Sequence, residues 1–95
     1  MGWFDRKKSN KGGMRMTREE IEAKVRNIVI NTLDVPEEKV VDGAMFDIDL
    51  GADELDCVEI IVNCEESLGV VISEEESEGL KTFRKLVDCI AQKLA

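Results

Sequence analysis

Between Asp47 and Glu59 the chain places six carboxylates, Asp47, Asp49, Asp53, Glu54, Asp56 and Glu59, around one thiol, Cys57. Acids at alternate positions are the oxygen donors calcium prefers, so Asp47, Asp49 and Asp53, with Gly51 between them, invite that reading. The EF-hand pattern fails: Ala52 holds the sixth position, where glycine is needed, and Val58 the twelfth, where a bidentate glutamate belongs. No dedicated metal site is expected, only weak attraction of divalent ions to the cluster. Zinc is disfavoured too, because Cys57, Cys64 and Cys89 form no CxxC pair and the chain has no histidine. If Cys57 and Cys64 share a helix they lie about 10 Å apart, too far for an unstrained disulfide. Free thiols imply a reducing compartment. Without histidine, a nucleophile paired with a base, or a Gly-rich phosphate loop, the chain is not expected to be an enzyme.

The same acids read better as the start of a helix. Asp53 is placed to accept hydrogen bonds from free backbone N–H groups, and Gly51 frees the backbone just before the turn. Glu54 and Asp56 then fall in the first turn, where the dipole favours negative charge. An anion suits such a helix end, and Glu54 already supplies one.

Four helices are needed to position this stretch. Thr17-Arg18-Glu19-Glu20 is a capping box, and Ile21, Val25, Ile28, Val29 and Leu33 recur as one apolar stripe until Asp34-Val35-Pro36 stops it. Pro36 to Lys39 suits a short extra turn, with Val40 and Val41 tucked back against the helices. Residues 42–52 form a long loop whose Met45, Phe46, Ile48 and Leu50 imply packing onto the domain. The second helix is expected from Asp53 to about Leu68, capped by Gly69, with Val58, Ile61, Cys64 and Leu68 buried and Ile60 beside them. Ser73-Glu74-Glu75-Glu76 opens a short third helix that Gly79 ends. Thr82 caps the last, where Phe83, Leu86, Val87, Ile90, Ala91 and Leu94 give the cleanest amphipathic period in the chain.

Composition limits the alternatives. Ninety-five residues allow a single domain, here 17–95, and four aromatics without tyrosine make its core aliphatic. Residues 1–16 carry net +4 and read as a flexible basic tail, which leaves −12 on the remainder of a chain whose total is −8. Trp3 and Phe4 beside Arg6, Lys7 and Lys8 suit an anionic membrane surface, although an extension with no such role is the preferred reading. An acidic domain repels nucleic acid and is steered toward basic patches. The second helix sharpens this, since Asp53 to Leu68 contains no lysine or arginine to offset its acids, a costly arrangement that a basic partner would relieve. No apolar run approaches a membrane span and no signal peptide follows the basic start, so a cytoplasmic monomer is expected.

Phe46-Asp47-Ile48-Asp49-Leu50-Gly51-Ala52-Asp53 followed by Leu55-Asp56-Cys57-Val58-Glu59-Ile60 resembles the acyl carrier protein family in order and spacing, and the resemblance extends from Thr17 to Leu94. It implies an all-α four-helix bundle of three long helices and one short. It also implies a role in fatty-acid, lipid or polyketide metabolism, in which synthases and acyltransferases present basic patches to the second helix. By that likeness Asp53, Leu55, Asp56, Glu59, Glu65 and Glu66 would form the docking face, and Ile61 and Cys64 would border a cavity for an acyl chain.

The family's cofactor, 4'-phosphopantetheine, hangs from the serine of an Asp-Ser-Leu triplet; here the triplet is Asp53-Glu54-Leu55. A carboxylate cannot replace the attacking hydroxyl usefully, because the acyl phosphate it would form hydrolyses. No attached cofactor is therefore expected. Ser9, Ser67, Ser73 and Ser77 lack the triplet, and Cys57, which could carry a thioester directly, reads better as a small residue on a partly exposed face. The chain is then an armless docking module, natural or regulatory. The alternatives are a true carrier whose serine was changed to glutamate, or a protein that holds free lipid.

Overall fold

A computed structural model of the chain describes residues 16–94; the proposed basic tail, apart from Met16, lies outside the described residues. Four helices form in the expected order: α1 (Arg18–Leu33), α2 (Glu54–Leu68), α3 (Glu74–Glu78) and α4 (Phe83–Leu94), with a 3-10 turn at Glu37–Lys39. Three of their starts are reciprocal capping boxes, Thr17 with Glu20, Asp53 with Asp56 and Ser73 with Glu76. At the fourth, Thr82 Oγ1 accepts from the Lys85 N–H at 3.2 Å. Helix α1 ends on Asp34 with φ 56°, a left-handed conformation that a short polar side chain tolerates. Helix α2 ends on Gly69 with φ 67°.

Helix α1 packs against both α2 and α4. Ile21, Val25 and Val29 of α1, Ile60, Cys64 and Leu68 of α2, and Phe83, Leu86, Val87 and Ile90 of α4 are buried together. Met16, Ile28, Leu33 and Ile61 lie partly buried against them.

The long loop is fastened at both levels. Val40, Ala44, Phe46, Leu50 and Ala52 are buried. Phe46 N–H donates to Lys81 O at 3.1 Å, Phe83 N–H to Ala44 O at 3.0 Å and Arg84 N–H to Asp42 O at 3.0 Å, tying the loop to the start of α4. Arg26 adds a lock: its Nε donates to Val40 O at 3.2 Å while its guanidinium lies 5.0 Å from the centre of the Phe83 ring.

The burial pattern departs from expectation at three valines and isoleucines. Val41, Ile48 and Val58 are 54%, 73% and 54% exposed. The buried stripe of α2 is centred on Ile60, Cys64 and Leu68, which turns Val58 to the outer side and leaves Ile61 at its edge. Helix α1 sets that rotation, and periodicity within α2 alone does not encode it.

Candidate functional site

The start of α2 is built by two carboxylates serving each other's backbone. Asp53 Oδ1 accepts from the Asp56 N–H at 2.8 Å, and Asp56 Oδ2 accepts from the Asp53 N–H at 3.2 Å. Both side chains are thereby committed to the helix end. Asp53→Ala should cost about 0.5–2 kcal/mol, because it removes the cap and strands the Asp56 N–H; a thermal melt followed by circular dichroism measures it. Gly51, with φ 72°, gives the left-handed step that leads into the cap.

Glu54 follows as the first helical residue and is exposed, as is Leu55 at 77%. The loop acids that suggested a cation site serve the backbone: Asp47 Oδ1 accepts from the Ile48 N–H at 2.7 Å and Asp49 Oδ2 from the Met45 N–H at 2.8 Å. Among the described residues, no three His, Cys, Asp or Glu side chains converge as metal ligands.

Beside the helix start lies a groove of about 380 Å³ between α2, α3 and the segment leading into α4. Phe46, Ile60, Ile61, Val62, Ile72 and Leu80 supply apolar wall, and Asp47, Glu54, Glu74, Glu78 and Lys81 its charged border. Ile61 lines this groove. Cys64 does not: it is fully buried in the core, and burial, aided by the charge of Glu65, pushes its thiol up to about 12. Cys57 does line the groove, with its pKa raised by partial burial and then by Asp47 and Asp56, against the opposing pull of Lys81. Burial, followed by the charge of Glu76, also raises Cys89. A raised pKa means less thiolate at any given pH. In the folded protein Cys57 and Cys89 should therefore alkylate more slowly than free cysteine, and Cys64 only after unfolding, as mass spectrometry of iodoacetamide-treated protein would read.

The outer side of α2 carries Leu55, Val58 and Val62, the last 41% exposed, next to the exposed Glu59 and Glu66. Val58, expected on the buried face of α2, and Val62, for which the sequence suggests no role, both stand at the surface. Their spacing of three and seven from Leu55, opposite Ile60, Cys64 and Leu68, is the signal that marks them. Glu65 departs from the free docking acid expected: half-buried, it accepts from the Ile72 N–H at 2.8 Å and so braces the crossing from α2 to α3. Ion pairs among the described residues join Arg18 and Arg84 to Asp88, Arg26 to Glu22 and Lys93 to Glu76, and none uses a carboxylate of α2.

A family model described as a phosphopantetheine attachment site matches residues 23–90. An acyl carrier protein from Thermosynechococcus vestitus is 49% identical over 80 residues, covering 84% of this chain and 99% of that one. The chain belongs to the acyl carrier protein family. An acyl carrier protein from Petrotoga mobilis is 39% identical over 83% of this chain and 93% of its own length. The solved acyl carrier protein from Enterococcus faecalis has the same fold, with a TM-score of 0.71 and 35% identity, covering 82% of this chain and 99% of that one. At the head of its second helix this chain carries the carboxylate of Glu54 between Asp53 and Leu55. No helix among its described residues is long and apolar enough to cross a membrane.

Proposed function

We infer that this acyl carrier protein relative works without a covalently attached arm, docking enzymes of fatty-acid or related lipid synthesis through the outer face of α2. The observation that carries the docking reading is that face itself. Leu55, Val58 and Val62 stand exposed beside Glu59 and Glu66, in a fifteen-residue helix without a cation. Apolar residues beside charge of one sign suit a partner that offers an apolar contact ringed by lysine or arginine.

The armless reading rests on the chemistry of Glu54. Phosphopantetheine would have to begin at this exposed first residue of α2, and a carboxylate offers no hydroxyl for a stable phosphodiester. The groove beside it would accept an arm, so the misfit lies in the attaching atom. Neighbouring serines are engaged elsewhere: Ser73 Oγ accepts from the Glu76 N–H at 3.1 Å and Ser77 Oγ donates to Glu74 O at 2.9 Å. Glu54 keeps a negative charge where a phosphate would sit at the helix end, so the local field resembles that of a loaded carrier.

Charge reversal of Glu59 and Glu66 together tests docking. Each exposed pair is worth about 0.2–1 kcal/mol, so the double variant should bind a basic-surfaced synthase or acyltransferase roughly 2- to 30-fold more weakly at low salt. The difference should shrink as ionic strength rises. Unchanged binding in calorimetric titrations would remove the docking claim.

The groove favours a second reading, a protein that holds free lipid. Its apolar wall suits an acyl chain, and each buried methylene contributes about 0.8 kcal/mol. Solvent extraction and mass analysis of purified protein would then recover a fatty acid.

A further inference from the structure

The groove beside α2 has walls that are held in place by the fold. Phe46 is fixed by its N–H, which donates to Lys81 O at 3.1 Å. The α3 side is fixed by Glu65, which accepts from the Ile72 N–H at 2.8 Å, and by Lys93, whose ammonium lies 2.9 Å from Glu76 Oε2. At about 380 Å³ the groove falls within the roughly 300–1,000 Å³ of small-ligand sites. A concavity that is already formed costs little ordering when it is filled.

The same groove opens onto the outer side of α2. Glu54, Val58 and Val62 belong to both, since each lines the groove and each is exposed. Its border is mostly of one sign, with Asp47, Glu54, Glu74 and Glu78 against the single cation Lys81. An anionic group entering there meets four like charges, whereas a lysine or arginine meets four opposite ones. A bulky apolar side chain carried between basic residues therefore satisfies wall and border together.

We propose that an enzyme docked on α2 seats one aromatic or long aliphatic side chain in this groove, with flanking lysines or arginines on Asp47, Glu54, Glu74 and Glu78. Such an anchor presupposes docking through the outer face of α2, and it names the part of the partner that would dominate the contact. Binding energy concentrates where a large side chain fills a pocket, and the flat face of a single helix offers none.

A fluorescein-labelled peptide, Lys-Lys-Phe-Leu-Lys-Lys, probes the groove with no enzyme present. Fluorescence anisotropy at low salt should show saturable binding to the full chain, about tenfold or more weaker when serine replaces both apolar residues of the peptide, a change that leaves the protein untouched. Glu74→Gln with Glu78→Gln should weaken the original peptide roughly 2- to 30-fold. Glu37→Gln with Glu38→Gln, which line no part of the groove, should not. The first pair leaves Glu76 with its bonds to Ser73 and Lys93, so α3 keeps its cap. Equal binding of the two peptides, or equal effects of the two glutamine pairs, would overturn the proposal. Binding of the peptide only after solvent extraction has removed a fatty acid would give the groove to lipid and overturn it as well. In calorimetric titrations with the synthase or acyltransferase, Glu74→Gln with Glu78→Gln should weaken binding, as reversal of Glu59 and Glu66 does. Weakening by the reversal alone would overturn the anchor and keep docking, and weakening by neither would overturn docking and the anchor with it.

Discussion

Phe83→Ala is expected to remove a large part of the domain's stability. Phe83 is fully buried at the first turn of α4, and its ring is the surface on which Arg26 rests while Arg26 Nε holds Val40 O. Truncation therefore opens a cavity where α1, α4 and the long loop meet, and it removes the support of the residue that clips the loop. Loss of a buried phenylalanine costs about 3–5 kcal/mol, against a total stability of about 5–15 kcal/mol for a whole domain. At about 4–8 °C per kcal/mol for a domain of this size, the melting temperature should fall by roughly 12–40 °C. Thermal denaturation followed by circular dichroism measures it. A fall of less than about 5 °C, equivalent to under roughly 1 kcal/mol, would show that the loop and bundle are held together elsewhere.

How far the fold could be read from the chain follows from the range of the interactions involved. Thr17 with Glu20, Ser73 with Glu76, and Thr82 with Lys85 meet within one helical turn, so their residue types are enough to mark where α1, α3 and α4 begin. The stripe of α4 was equally plain because its apolar residues admit a single face. Helix α2 is ambiguous: Val58 fits a spacing of three, three and four with Ile61, Cys64 and Leu68, yet contact with α1 decides which edge of the stripe is covered. Non-local pairing also hid the role of Glu65. Its carboxylate accepts from a backbone N–H seven residues later, across a change of chain direction, and no short-range pattern announces that. The groove needed the whole fold for the same reason, since Leu80 and Lys81 reach Ile61 only once α3 has folded back on α2. At the site, the type of residue 54 and its place at a helix start were visible at once, because helix ends are local and the triplet is contiguous.

Serine at position 54 is expected to restore what glutamate withholds. Glu54→Ser puts a hydroxyl on the exposed first residue of α2, after a cap that Asp53 and Asp56 hold together without help from residue 54. The substitution removes one carboxylate from the first turn, worth about 0.3–1 kcal/mol of dipole interaction, so the variant should fold. A hydroxyl can attack the phosphate of coenzyme A to form a stable diester, whereas a carboxylate yields a labile acyl phosphate. The expected contrast is all or none, and it separates a chain stopped by one residue from one unable to present its helix to the modifying enzyme at all.

The most direct measurement is intact-mass spectrometry of the unaltered chain and the Glu54→Ser variant, each incubated with coenzyme A and a phosphopantetheinyl transferase. The unaltered protein should keep its mass while the variant gains one phosphopantetheine group. A gain of that group by the unaltered chain, at any residue, would contradict the account.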